Sequence, residues 1–402
     1  MKPVYVVLNA GSSSLKFQVF EASGREDPRV VYRGLFEGLG SAPHFLVKDR
    51  AGAPVAEAHW GIDERFGHEE ALSHLVKWTR EHRAGHALAA VGHRVVHGGT
   101  AYAGPVLVNE SVLQRLEKLE PLAPLHQPHN LEPIRILHRR APEIPQVACF
   151  DTAFHRNQPE IAQLFALPRE MTRKGVVRYG FHGLSYEYIS SVLASYDPKL
   201  AEGRVVVAHL GNGASLCAMS RGASIASTMG FSALDGLPMG TRCGAVDPGV
   251  VFYMLRDMKL STEEAERILY TKSGLLGVSG LSNDMRTLRQ HAPHDPDARR
   301  AIDLFVYRIA REVGSMVSAL GGIDAIVFTA GIGENDRQTR ADVLARLAWA
   351  GFEPDAAAND RNDARITQER GPAAWIIPTN EELVIARHVH SVVSAGKRQL
   401  AS

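Results

Sequence analysis

Cysteine is scarce in this 402-residue chain: Cys149, Cys217 and Cys243 are odd in number, far apart and form no CxxC pair. That argues against a disulfide framework or a thiolate zinc site and points to a reduced, cytoplasmic protein. An excess of one charge is missing too. Forty-five Lys+Arg stand against 44 Asp+Glu, a formal net charge of +1. No global field draws such a chain to nucleic acid or an anionic membrane, so any phosphate recognition must be local. No run reaches the roughly 18 apolar residues of a membrane span. The apolar start is too short for a signal peptide and is interrupted by Asn9, so it reads as structure. Neither GxxxxGK[ST], GxGxxG nor the protein-kinase signatures occur, which disfavours the familiar nucleotide folds. HExxH is absent as well. Among the 18 histidines, neither His93 with His97 nor His126 with His129 has convincing zinc spacing.

What is present is an ordinary globular composition, 45% hydrophobic and 22% charged, long enough for two or three domains at roughly 100–200 residues each. Strand-like segments at 4–8 and 15–20 flank a small polar turn, and further strand-like pieces run to about residue 58. Helical patterns follow near 69–82, 109–117 and 128–139, with buried strands at 89–96 and 147–150. The plan then starts again. Residues 206–216 repeat the strand–turn–strand pattern of 6–15 at a spacing of about half the chain. The second half is richer in helix: Asp247-Pro248 and Ser261-Thr262-Glu263-Glu264 open two, and 297–320 form a long one. A strand at 324–329, a surface excursion at 353–371, a last strand at 376–378 and a last helix at 379–393 complete the reading. Mixed strands with crossover helices, repeated twice, give an α/β class.

Three Gly/Ser-rich turns, at 9–14, 209–214 and 330–335, each follow a buried strand. Such turns can present several backbone N–H groups to phosphate oxygens, or can simply be structural turns. Ser14 and Lys16 lie on one face of their strand, a hydroxyl and an ammonium suited to a phosphate tail, unless Lys16 is only a solvated edge residue. Arg94 sits inside an apolar strand, where a guanidinium needs a carboxylate or phosphate partner. Arg242 occupies a glycine-flanked loop; structural salt bridges are the plainer reading for both arginines. His182 is wrapped in glycine and aromatics before a helix. Asp151 ends a strand, where ligand groups collect in open α/β sheets, or caps a helix. Thr379 and Glu382 have capping-box spacing, which leaves Glu381 to point elsewhere, for instance through water to a metal.

Taken in order from residue 8 to 382, these blocks resemble the acetate kinase family of the acetate and sugar kinase/actin-like superfamily. The matching segments include Asn9-Ala10-Gly11-Ser12-Ser13-Ser14-Leu15-Lys16, Phe150-Asp151-Thr152-Ala153-Phe154-His155, Gly240-Thr241-Arg242 and Pro378-Thr379-Asn380-Glu381-Glu382. The resemblance implies two duplicated actin-like (ribonuclease H-like) α/β domains facing a cleft. The first would cover 1–150 with the helix from about 384 to 402 packed back on it, and the second, nucleotide-binding domain 151–383. It implies Mg²⁺-dependent transfer of a phosphoryl group between ATP and acetate, giving ADP and acetyl phosphate, with Mn²⁺ able to substitute, in a cytoplasmic homodimer. By the same resemblance Asp151, Arg94, His182 and Arg242 are catalytic, and Asn9 and Glu381 belong to the metal site. Ser12, Ser14, Lys16, His209, Leu210, Gly211, Asn212 and Gly213 are assigned to ATP phosphates. Asp284, Met285, Arg286, Gly331, Ile332, Gly333, Glu334 and Asn335 are assigned to adenine and ribose. Arg94, Val96, Leu125 and Ala233 surround the acyl group. Two departures stand out: Gly244-Ala245-Val246-Asp247-Pro248-Gly249 lacks the first aspartate of the family's Gly-Asp-x-Asp-Pro-Gly, and Ala233 stands where proline is frequent. The second could loosen the methyl pocket, so propionate or butyrate kinase is the alternative within the family. A non-catalytic ATP-binding switch protein is the alternative from another class.

Overall fold

The computed structural model describes residues 1–22, 27–61, 66–82 and 85–400, with backbone alone at 396–400. The last two residues of the expected C-terminal helix lie outside this range. The chain forms two compact units, Met1–Ala153 with Asn380–Ser402, and Phe154–Thr379.

The first unit is built on eight strands: β1 (Lys2–Ala10), β2 (Ser14–Glu21), β3 (Arg29–Glu37), β4 (His44–Asp49), β5 (Pro54–His59), β6 (His86–Val95), β7 (Val106–Leu107) and β8 (Gln146–Phe150). Their order in the sheet is β5-β4-β3-β2-β1-β6-β8-β7. β1 through β5 pair antiparallel in succession, whereas β6 and β8 run parallel to β1. The centre of the sheet is covered on both sides, which is why β1 buries Val4 through Leu8 without alternation. On one side Val6, Leu8, Phe17, Phe36, Phe45 and Trp78 share a core with the helix His68–Glu81. On the other side the helix Glu381–Leu400 lies over β1, β6 and β8. Gly92 makes that approach possible: a Cβ there would fall 2.6 Å from both Ile385 Cγ2 and Val389 Cγ2.

The second unit holds β9 (Arg204–Leu210), β10 (Ala214–Ser220), β11 (Ala223–Ser227), β12 (Ala325–Thr329) and β13 (Ala373–Ile376), in the order β11-β10-β9-β12-β13. β9, β10 and β11 are antiparallel, and β12 and β13 run parallel to β9. This is the order and direction of β3-β2-β1-β6-β8, so the short sequence repeat marks a repeat of topology. Both units have the duplicated actin-like plan. The helix Pro296–Leu320 packs on β9, β10 and β11, with Asp295 capping its first turn. The caps read from sequence at Asp247 and at Ser261 with Glu264 are formed.

Several expectations are corrected. The last strand is Ala373–Ile376 and not 376–378, because Pro378 has no N–H to carry the ladder on. The last helix begins at Glu381 and is capped by Asn380, whose Oδ1 accepts from Leu383 N at 3.1 Å. The Thr379–Glu382 box does not form, since Thr379 N donates to Glu334 Oε1. Residues 353–371 are more than an excursion: Ile366 is fully buried, and Asn359 and Asn362 accept hydrogen bonds from the buried guanidinium of Arg340. The units divide after Ala153 and Thr379, so Asp151 and Glu381 belong to the first unit and not to the second. For Asp151 the cause is its N–H on Val95 O, which continues the pairing of β8 with β6. Among the described residues no helix is long and apolar enough to cross a membrane.

Gly92→Val should force the last helix off β6 and destabilise the protein by about 1–3 kcal/mol, the usual range for overpacking. Urea or thermal denaturation reads this directly, and an unchanged midpoint would contradict the packing of this helix on β6.

Candidate active site

In the first unit the candidate residues gather at the C-terminal ends of three adjacent parallel strands, where backbone groups leave the ladder and side chains can meet a ligand. Asn9 is near the end of β1, Arg94 near the end of β6, and Asp151 follows β8. Asn9 is paired in register with Lys16 across the β1–β2 hairpin, so the two side chains share a face. The turn between them is tight, with Gly11 N donating to Ser14 O at 2.8 Å, and it leaves Ser12 and Ser13 exposed.

Arg94 finds the partner its burial requires. Its Nε donates to Asp151 Oδ1 at 3.0 Å and its Nη2 to Asp151 Oδ2 at 2.8 Å, a two-point contact. Nη1 lies 3.5 Å from Glu381 Oε2. The Asp151 side chain is only 2% exposed, against 24% for Arg94, so a ligand reaches the arginine and not the aspartate. Burial opposes the charge on Arg94, yet Asp151, then Glu381 and Glu382, more than offset it and hold its pKa above the ordinary arginine value. Glu382 shifts the other way for a carboxylate: burial, then the neighbouring Glu381, raises its pKa. Val96 is buried, whereas Leu125 is 43% exposed.

Sequence reasoning missed the residues that hold these strand ends together. Asn130 donates to Ala10 O at 2.7 Å and accepts from Val96 N at 2.9 Å, tying the end of β1 to the end of β6. Gln127 does the same for His97, accepting from its N–H and donating to its carbonyl. Their i,i+3 spacing on the helix Gln127–Arg140 was the available signal, since it sets two amides on one face.

In the second unit His182 is held in the left-handed region, φ +58°, as the residue before the helix Gly183–Tyr196. Its Nδ1 lies 2.8 Å from Ser215 Oγ, which is in turn 2.5 Å from Tyr186 OH. Its ring stacks on His209 with centroids 4.2 Å apart, and His209 Nδ1 contacts Ser185 Oγ at 2.9 Å. Buried His155, whose pKa burial lowers to about 4, supports the loop from below through Phe181 O. Arg242 is aimed by its Nη1 bond to Ala233 O at 2.7 Å. The two groups converge over Gly213: a Cβ built there would lie 3.1 Å from both Arg242 Nη2 and His182 Nε2. Gly240 is similarly close to Asn212: a Cβ there would fall 2.0 Å from Asn212 Oδ1 and would displace that side chain. Nothing in the sequence singled out Ser185, Tyr186 or Ser215.

Beside this lies a cavity of about 990 Å³ whose lining includes the predicted residues Gly211, Asn212, Asp284, Met285, Arg286, Gly331, Ile332 and Asn335. Asn283, Arg289, Gln290, Asp336, Arg337 and Gln338 also line it and were not singled out by the sequence. His209, Leu210, Gly213, Gly333 and Glu334 are not among the lining residues. Glu334 instead pins the turn, its Oε1 accepting from Ala330 N at 2.8 Å and from Thr379 N at 3.2 Å. Asp284 caps the helix Met285–His291 through Arg286 N and Thr287 N, which fixes the edge of the cavity.

Comparison with known proteins identifies a family. Residues 4–387 match the Acetokinase family. Acetate kinase of Rhodopseudomonas palustris is 51% identical, covering 99% of this chain and 100% of its own length. Among solved structures, a propionate kinase from Francisella tularensis is similar with a TM-score of 0.89 and 36% identity, covering 96% of this chain and 98% of its own. Porphyromonas gingivalis acetate kinase gives a TM-score of 0.86 and 33% identity, covering 97% and 100%.

Cys243, next to Arg242, is a poor nucleophile: burial pushes its thiol up to about 11, and its Sγ donates to Gly244 O. Iodoacetamide at neutral pH should therefore leave Cys243 unmodified and activity intact. Rapid inactivation with a mass increment on Cys243 would contradict this.

Proposed function

The chain belongs to the acetokinase family, and on that premise we propose how its residues divide the transfer of a phosphoryl group between ATP and acetate. The enzyme is an ATP:acetate phosphotransferase. Its acceptor is already an anion at neutral pH, so attack on the γ-phosphorus needs alignment and charge stabilisation and no general base. Arg94 orients the acetate carboxylate. Asp151, engaged with Nε and Nη2 of Arg94 and shielded from solvent, is a positioning residue that fixes the plane of the guanidinium.

The observation that carries the reading in the second unit is the convergence of Arg242 Nη2 and His182 Nε2 over Gly213. With Ser215 Oγ donating to Nδ1, His182 Nε2 carries the ring proton, and this N–H together with Arg242 Nη2 suits the equatorial oxygens of a phosphoryl group in transfer. The adjoining cavity takes the nucleoside and the 209–213 turn its phosphates; Lys16, Ser12 and Ser14 are phosphate-binding groups by the family resemblance.

Asn9 and Glu381 would hold Mg²⁺. An amide oxygen and a carboxylate are the hard donors this ion takes, and two protein donors leave its other positions to water and phosphate oxygens. When bound, the ion neutralises and polarises the phosphate oxygens. Homodimeric assembly and a cytoplasmic location belong to the same proposal.

A second reading, with propionate as the preferred acid, is favoured by Ala233 and by the likeness to a propionate kinase structure. Acyl hydroxamate formation with acetate, propionate and butyrate separates the two: kcat/KM should be highest for acetate, and a maximum at propionate would move the specificity. Arg242→Ala should lower kcat by about 10³–10⁵, the scale of an arginine that stabilises transferring phosphoryl charge. A loss confined to KM for acetate would assign Arg242 to ground-state binding instead.

A further inference from the structure

At the outer edge of the first unit, β3, β4 and β5 align Glu37, His44 and His59 in register across three strands. Strand alternation sends Phe36, Phe45 and Ala58 to the core and leaves these three, with Glu57 two residues before His59, on the opposite face. His44 Nε2 lies 2.9 Å from Glu57 Oε1, and His59 Nε2 lies 3.4 Å from the same oxygen. The two imidazoles stack with centroids 4.3 Å apart. One ligand atom from each of His44, Glu57 and His59 falls within 4.8 Å of the others.

The 3.4 Å separation of His59 Nε2 from Glu57 Oε1 is close to the edge of a metal tetrahedron, whereas the 2.9 Å separation of His44 Nε2 is a hydrogen bond that the ion would replace. The stacked rings, 9° apart, must turn about their Cβ–Cγ bonds for both nitrogens to meet one ion. With metal–nitrogen and metal–oxygen bonds of about 2.0–2.2 Å, neighbouring ligand atoms sit about 3.3–3.6 Å apart. The fourth group falls into place as well. Glu37 Oε1 is 3.1 Å from His44 Nδ1, the ring nitrogen that a metal on Nε2 leaves over. A carboxylate on the second nitrogen of a ligating histidine fixes the tautomer and raises its basicity.

We propose that His44, Glu57 and His59 form a binding site for a divalent transition-metal ion of the zinc type, with water in the fourth position and Glu37 supporting His44. Two imidazoles and one carboxylate favour such an ion over Mg²⁺, which takes oxygen donors in octahedral geometry. The ion would cross-link β4 to β5, the strand at the edge of the sheet. The site is independent of the residues assigned to phosphoryl transfer, and occupying it should leave Mg²⁺-dependent turnover unchanged.

The test is calorimetric titration of the full chain with Zn²⁺ in saturating Mg²⁺ and ADP, which keep the nucleotide site occupied, together with Co²⁺ absorption as a spectroscopic readout. We expect one equivalent of Zn²⁺ bound in the micromolar range and a visible Co²⁺ band of four- or five-coordinate type. Both should be lost in His59→Ala and in Glu57→Gln, and Glu37→Gln should weaken binding by about 10–100-fold, the scale of a lost supporting carboxylate. Unchanged Mg²⁺-dependent kinetics in all three variants would show that they remain folded. Absence of saturable Zn²⁺ binding below millimolar concentration, or binding that persists unchanged in His59→Ala and Glu57→Gln, would overturn the proposal.

Discussion

The contact between Arg94 and Asp151 constrains the rest of the first unit. A guanidinium within an apolar strand and a carboxylate almost sealed from water are each costly alone, and breaking such a pair leaves an uncompensated charge worth about 3–5 kcal/mol. The pair can form only because β6 and β8 are adjacent and parallel, with Arg94 opposite Cys149 and Asp151 just beyond the strand. It also requires the strand ends to stay in place, the task of Asn130 and Gln127. Glu381, at the start of the last helix, extends the constraint to the C-terminal segment, which packs its helix on β1, β6 and β8.

The duplicated plan explains how one chain supplies two different sets of groups. The hairpin that opens each unit places a cross-strand pair at its turn: Asn9 with Lys16 in one, His209 with Ser215 in the other. The backbone geometry is shared and the chemistry has diverged. One turn carries an amide and an ammonium on one face. The other carries a stacked histidine pair and a glycine over which two donors meet. Rigid strand ends set each group, and short side-chain hydrogen bonds to Ser215 and to Ala233 O set its direction.

Much of this was legible in the sequence, for identifiable reasons. Uninterrupted apolar runs at β1 and β9 reported strands covered on both faces, and Asp247 and Ser261 reported helix starts, because these signals are local. Arg94 advertised a partner because its burial demanded one. Ser185, Tyr186 and Ser215 left no such trace. Ser215 is one hydroxyl in an apolar strand, and its role depends on Tyr186 and His182 arriving from another element. The Thr379–Glu382 box was misread because a local spacing rule met a competing acceptor, Glu334, from 45 residues away. The division between the units was misplaced for the same reason: the ties of Asp151 and Glu381 to Arg94 are tertiary.

We propose that Asp151 serves phosphoryl transfer by holding Arg94 and not by moving a proton. The pH dependence of kcat and kcat/KM for acetate in Asp151→Asn, set against the unaltered enzyme, tests it most directly. A large fall in kcat/KM with the shape of the pH profile preserved is expected, since the lost group never exchanged a proton with substrate. Near-unaltered kinetics would contradict the positioning role. An acidic limb that disappears with the carboxylate would show that Asp151 acts as a base.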